Sequence, residues 1–170
     1  MVVLAHVPVA YELAARSADV VLITPHDPDQ IAAIMAEVRA AEAAVNRTGP
    51  PLVVLADLLV ALDDEPSAAR SALDHLDGLN GDPLRSDALI VTTSPTLLAD
   101  QLVAWREAGL DGFRIRPARL PSDLDAIVDL LVPELVARGV RSSGYPHVTL
   151  RDRVGLERPP NRYATEVEEA

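Results

Sequence analysis

Cysteine is absent from this 170-residue chain, and so is lysine. Without Cys there is no disulfide framework, no thiolate nucleophile and no Cys-based metal site. Without Lys, Arg supplies all 15 basic residues. Together with the abundant Ala and Pro, this reads as the codon usage of a GC-rich bacterial genome rather than as a functional choice. Aromatic residues make up only 3%, so a core must come from Ala, Val, Leu and Ile. Positive charge is in deficit. A net charge of -11 speaks against a nucleic-acid partner, because phosphate backbones demand a basic surface, and equally against an anionic membrane surface. No apolar run approaches membrane-spanning length and the N-terminus lacks a basic leader, so the expectation is a cytoplasmic protein. Also missing are Gly-x-Gly-x-x-Gly, a P-loop, Gly-x-Ser-x-Gly and any His/Asp/Glu cluster with metal-ligand spacing.

What is present is an alternation of strand and helix signals over a chain that is 49% hydrophobic. Alternation of this kind argues for a parallel sheet in one domain. Strands are expected at Val2-Val3-Leu4-Ala5, Asp19 to Thr24, Leu52 to Leu62, Ala88 to Thr92 and Gly112 to Arg116. Helices are expected from about Val9 to Ser17, Asp29 to Val45, Pro66 to Leu76, Ser94 to Ala108, and Ser122 to about Arg138. Ile31, Ile34, Met35 and Val38 fall at helical spacing. Asp29, Ser94 and the Ser122-Asp123 pair are the expected N-caps, and Gly109 and Gly139 the expected stops. The polar, Gly-bearing stretch from Asp77 to Asp87 reads as a loop. Continuous apolar strands followed by amphipathic helices fit strands buried on both faces.

Several polar residues stand where parallel sheets carry their chemistry, at or near strand C-termini. His6 ends the first strand and could bind a phosphate or relay a proton; as a loop histidine it needs no function. His26 follows the second strand, where a turn capped by Asp27 explains it as well. Asp57 interrupts an apolar strand, where an unpaired carboxylate is costly; the strand either turns it towards a barrel lumen or breaks there. Arg114 and Arg116 alternate on the last strand and so point the same way, either at an anion or into salt bridges with the acidic surface. His75 and His147 carry no comparable signal, and Asp63-Asp64-Glu65 reads as a solvated helix start.

The end of the chain is the most particular stretch. It runs Gly144-Tyr145-Pro146-His147-Val148-Thr149-Leu150-Arg151-Asp152-Arg153-Val154-Gly155-Leu156-Glu157-Arg158-Pro159-Pro160-Asn161-Arg162-Tyr163, and no periodic element needs such a string. It resembles the C-terminal tail of the luciferase-like flavin monooxygenases, in the branch of nitrilotriacetate and pristinamycin monooxygenases. There an Arg-Gly pair, a Tyr, a Thr-Leu-Arg, a Gly-Leu and an Arg-Pro-x-Asn-Arg-Tyr follow the last helix, and here they stand in the same order from Arg138-Gly139. Ser94-Pro95 with Ala99-Asp100-Gln101-Leu102, Asp111-Gly112-Phe113 with Pro117, Pro133-Glu134-Leu135, and Glu12 to Val21 resemble further segments of that family.

The resemblance implies an α/β fold, the C-terminal half of a (β/α)8 TIM barrel. About five parallel strands would alternate with helices, and an irregular C-terminal tail would follow. Complete barrels of this kind need about 250 residues, hence a half. Residues 1–140 would form the partial barrel. Residues 141–170 would form an extension packed on it or on a neighbouring subunit, with Tyr145 and Leu150 largely buried. It also implies a monooxygenase that uses reduced FMN from a separate flavin reductase and passes one atom of dioxygen to its substrate. In the family, a Gln-Ala-Gly, a Ser and a Gly surround the flavin phosphate after the strand that matches Val2 to Ala5. Here the aligned stretch is Val3-Leu4-Ala5-His6-Val7-Pro8-Val9-Ala10, so Ala5, His6 and Ala10, together with Arg114 and Arg116, become the candidate cofactor ligands, and Val7 offers no hydroxyl. No catalytic residue is assigned. A half-barrel exposes two sheet edges and one sheet face, so a homo-oligomer or a second chain completing the barrel is the expected partner. The alternative is a non-catalytic half-barrel or interaction subunit that has lost flavin binding.

Overall fold

The computed structural model describes residues 1–144, 147–161 and 163. Its elements run β1 (Val2–Leu4), α1 (Pro8–Ser17), β2 (Val20–Ile23), α2 (Pro28–Ala44), β3 (Val53–Leu62), α3 (Pro66–Asn80), β4 (Leu89–Thr93), α4 (Pro95–Glu107), β5 (Gly112–Pro117), α5 (Ser122–Ala126), a π-helical turn (Ile127–Leu131), α6 (Val132–Ala137) and α7 (Leu150–Arg153). The five strands form one parallel sheet, as the alternation in the sequence implies.

Proline sets the helix starts. Each of α1, α2, α3 and α4 has Pro as its first residue, where the missing N–H costs nothing and the fixed φ suits a helix. Asp27 caps α2 by accepting from the Gln30 N–H at 2.8 Å, so the cap is Asp27 and not Asp29, which sits inside the first turn. Ser94 caps α4 through the Leu97 N–H. Helix α3 continues to Asn80 and stops at Gly81, with φ at 83°, so four residues expected in a loop are helical. The last long helix begins at Ser122 without a side-chain cap. Pro133 has no N–H to give, and in a regular helix its ring would meet the carbonyl of residue 129. The turn before it widens, and the Val132 N–H reaches the Ile127 carbonyl five residues back.

Strand β3 is the spine. On one edge its first half pairs β2, from Val20↔Val53 to Ile23↔Ala56, and its second half pairs β4, from Leu58↔Leu89 to Leu62↔Thr93. On the other edge it pairs β5, from Leu55↔Gly112 to Val60↔Pro117. The main arc is therefore β1-β2-β3-β5, and β4 takes over from β2 where β2 ends. Strand β3 reads as one apolar run because it has neighbours along both edges. Asp57 does not break it; it is the residue at the handover from β2 to β4.

Alternate residues Val21, Ile23, Val54, Ala56, Leu58, Val60 and Leu62 join Tyr11, Ile31, Val38, Leu98, Leu102 and Trp105 in the core between sheet and helices. The opposite face holds Val2, Leu4, Leu22, Leu55, Asp57, Leu59, Arg114 and Arg116. Val2 and Leu4 are exposed. Within the described residues, β1 pairs only β2 and β5 only β3, so both ends of the arc are open. Beside β5, a groove of about 400 Å³ runs between α4 and the α5–α6 helix, lined by Leu102, Phe113, Ile115, Leu131 and Leu135 among others.

The Asp-Gly-Phe segment works structurally. The Asp111 carboxylate accepts from the Val54 N–H at 2.7 Å and the Asp111 N–H donates to the Val54 carbonyl, which fixes the start of β5 against β3. Next to it, a Cβ on Gly112 would lie 3.2 Å from Leu55 Cδ2.

The tail departs from expectation. Leu150 is 75% exposed and Tyr163 is exposed, whereas Leu156 is buried; Tyr145 lies outside the described residues. The reason is α7. Thr149 and Asp152 close a capping box around it, and its Arg151 reaches Asp19 at 3.2 Å. That contact leaves Leu150 on the outer side of a single helical turn.

Candidate functional site

Polar side chains gather on the open face and at the C-terminal ends of its strands. The centre is Asp57. Register pairs it with Arg114. The Arg114 guanidinium lies side-on against the carboxylate, with Nε donating to Oδ1 at 2.8 Å and Nη2 to Oδ2 at 2.6 Å. Arg116, two residues on and so on the same face, donates from Nε to Oδ1 at 3.1 Å and from Nη2 to the Ser86 hydroxyl at 3.2 Å. The Asp57 side chain is 2% exposed, against arginine side chains that are 41% and 40% exposed. Burial pushes its carboxyl up, but the hydrogen bonds and charge of the two arginines outweigh this and hold it below the usual carboxylate range. The same bonds push the Arg114 guanidinium up.

A second group lies at the ends of β1 and β2. His6 Nδ1 and the Thr24 hydroxyl are 2.9 Å apart. His6 Nε2 stands 3.8 Å from the Asp87 carboxylate. His26 Nε2 lies 3.4 Å from the Asp87 carbonyl oxygen. Ser86 and Asp87, in the loop between α3 and β4, thus link both groups. They carry no motif, and the sequence shows them only as part of a polar loop. They reach the site because β4 starts where β2 ends.

The candidate cofactor residues divide accordingly. Arg114 and Arg116 are brought together with Asp57. Ala5, His6 and Ala10 lie at the other end of the arc, three strands along it, with Ser86 and Asp87 standing between them and the arginine pair. The start of α1 does not fit a phosphate well. Val7, the N-cap, provides no side-chain bond. Pro8 has no N–H, the N–H groups of Ala10 and Tyr11 donate to the Val7 carbonyl, and that of Ala5 donates to the Leu22 carbonyl. Val7 and Val9 are exposed there. A helix start holds an anion through free N–H groups, and here Pro8 has none to give and that of Ala10 is engaged. His75 lies on α3 and His147 in the tail, with no part in either group.

One buried ion pair supports the site from behind and was not legible in the sequence. Asp123, 0% exposed, accepts from the Leu62 and Arg119 backbone N–H groups at 2.9 and 2.7 Å and from the Arg119 guanidinium at 2.5 Å. Arg119 also donates to the Leu62 carbonyl, which ties the loop after β5 to the end of β3. Among the described residues no three His, Asp or Glu side chains are arranged to hold a metal, and no helix is long and apolar enough to cross a membrane.

Comparison with known proteins bears on what this arrangement serves. The family model described as luciferase-like monooxygenase matches residues 1–86; the tail motif lies outside that span. N-acetyl-S-(2-succino)cysteine monooxygenase of Bacillus subtilis (strain 168) is 43% identical over 76 residues, 44% of this chain and 17% of that protein. Nitrilotriacetate monooxygenase component A of Aminobacter aminovorans is 43% identical over 72 residues, 42% of this chain and 16% of that protein. Among solved structures, EDTA monooxygenase from Chelativorans sp. BNC1 superposes with a TM-score of 0.73 at 21% identity, covering 91% of this chain and 50% of that one. A riboflavin lyase, solved with modified FMN and riboflavin, superposes at 0.74 and 20% identity, covering 92% of this chain and 47% of that one. These likenesses show the fold, a partial (β/α) barrel, and this chain spans about half the length of the barrels it matches.

Proposed function

The chain belongs to the luciferase-like monooxygenase family, and on that footing we propose that it forms one wall of the active site of a flavin-dependent monooxygenase. Proteins of this kind use reduced flavin. The observation that carries the reading is the gathering of Asp57, Arg114, Arg116, His6 and His26 on the inward face and at the strand ends, where (β/α) barrels keep their chemistry. Reduced flavin and dioxygen would supply the oxidising chemistry when bound; the protein's part is to hold the reactants and exclude water.

FMN is the flavin assigned, with Ala5, His6 and Ala10 at its phosphate end. The depleted start of α1 makes that hold weak in this chain by itself. Residues 1–140 act as the barrel portion and 141–170 as an extension along it. The open edges at β1 and β5 and the groove beside β5 take the missing strands and helices from a second chain or another copy. A flavin reductase is the proposed electron source, in keeping with a nitrilotriacetate relative whose name marks it as one component of a larger system. The cytoplasm is the proposed place.

A second reading has its own support. Pro8 without an N–H and Val7 without a side-chain cap at the start of α1 favour a non-catalytic half-barrel that has lost flavin. Titration of FMN into the purified chain, followed by quenching of flavin fluorescence, tests the first reading. Saturable quenching that strengthens when a barrel-completing chain is added supports it. No quenching under either condition sinks it and leaves the non-catalytic reading.

A further inference from the structure

We propose that Arg114 and Arg116, held by Asp57, form a subsite for the carboxylate or sulfonate group of an organic substrate. The inference deepens the proposed function, on which it rests for the sense of which face is inward, by naming a substrate class. It does not require that flavin bind.

The first argument is charge. Two guanidinium groups share one carboxylate, so the cluster carries a net charge of +1 on a chain of -11. A single Arg would satisfy Asp57 as an ion pair. The second Arg adds a positive charge on the inward face, with no other carboxylate paired to it among the described residues. The second argument is arrangement. The neutralising carboxylate is buried and the two arginine side chains are two-fifths exposed, so the anion built into the protein is covered while the cations that pair it are open to solvent. Arg114 uses Nε and Nη2 on Asp57, and Arg116 uses Nε on Asp57 and Nη2 on Ser86. These bonds use Nε and Nη2 of each planar guanidinium, and none of them uses Nη1. Forks fixed in advance lose little entropy on taking a ligand.

The third argument chooses the ligand. A monoanion brings the cluster to neutrality, while a phosphate dianion leaves a net negative charge beside a buried carboxylate. The strand spacing sets the two Cα atoms roughly 6.5 Å apart, which suits one small planar or tetrahedral oxyanion. Leu22 and Leu59, on the same face and buried, offer an apolar wall for the rest of an organic molecule.

The test is site-resolved arginine modification of the intact chain by phenylglyoxal, read by peptide mass spectrometry. Acetate, methanesulfonate or inorganic phosphate is added, with chloride at matched ionic strength as reference. The expected result is selective slowing at Arg114 and Arg116 by acetate or methanesulfonate, about fivefold at four times the dissociation constant, with exposed Arg16 and Arg70 unaffected. Asp57→Asn raises the cluster's charge and is expected to keep or strengthen the protection. If that variant fails to fold, Ser86→Ala serves instead: it leaves the charge at +1 and is expected to keep the protection. Equal slowing at all arginines, or none at the pair, overturns the proposal. Protection by FMN and phosphate but not by riboflavin, acetate or methanesulfonate assigns the pair to the flavin phosphate and overturns it as a substrate subsite. A chain that binds no flavin yet shows the carboxylate protection separates this inference from the flavin reading.

Discussion

Asp57 and Arg114 are direct register partners across β3 and β5, and their side chains meet through two parallel hydrogen bonds of 2.8 and 2.6 Å. An apolar strand tolerates a carboxylate at its centre because the neighbouring strand delivers two guanidinium groups to the same point. The pair is half open to solvent on the arginine side, and that decides how much it can contribute. Asp57→Ala frees two groups that can rehydrate, so the expected loss is about 1–3 kcal/mol. Asp123→Ala strands Arg119, whose side chain is only 13% exposed, and the expected loss is about 3–5 kcal/mol. Urea unfolding of both variants checks the order.

Acid should weaken the fold through Asp57. Its folded carboxyl lies below the usual range, and the unfolded value is about 3.9. Its stabilisation is therefore complete above the unfolded value and is lost as pH falls through the folded one. Unfolding measured from pH 5 downward should show a fall in stability that is shallower in Asp57→Asn.

The Asp-Gly-Phe segment separates into a part that matters and a part that does not. Asp111→Ala deprives the Val54 N–H of its 2.7 Å partner and should cost about 1–3 kcal/mol. Gly112→Ala meets only the end of the Leu55 side chain, on the open face where it can move, and should stay within about 0.5 kcal/mol. Thermal melts of the two variants decide it.

Flavin binding by the chain alone should be weak. With no N–H on Pro8 and no hydroxyl on Val7 at the start of α1, the expected affinity for FMN is high micromolar or poorer, roughly -5 kcal/mol. Val7→Ser with Pro8→Ala adds a hydroxyl and an N–H. Each such bond to a charged group is worth about 1.5–3 kcal/mol, so binding should tighten by about tenfold or more. Submicromolar affinity in the unaltered chain would contradict this.

Assembly follows from the open edges of β1 and β5. Light scattering should find a dimer or larger species, or a complex with a barrel-completing chain. A cooperatively folding monomer at low concentration would count against it.

In the tail, Leu156→Ala should lower the melting temperature, since burying one such side chain is worth about 1.5–3 kcal/mol. Leu150→Ala should leave it unchanged, in keeping with its 75% exposure.

The sequence by itself determined the alternation of strands and helices, the helix starts at Pro66 and Pro95, the core faces and the family. These rest on local signals: apolar period, ring-locked φ and capping oxygens act within a few residues of where they are written. It also marked Asp57, Arg114 and Arg116 as polar residues in apolar strands. Their partnership was decided only by the tertiary structure, because pairing β3 with β5 joins positions 57 residues apart and skips β4, and no local pattern encodes that register. The same holds for Ser86 and Asp87, ordinary loop residues until β4 begins at the end of β2, and for Asp123 at the start of α5, whose partner Leu62 lies 61 residues away at the end of β3. Leu150 shows the converse. Its apolar character suggested burial, but the side of a one-turn helix that faces outward is set by where Arg151 finds Asp19.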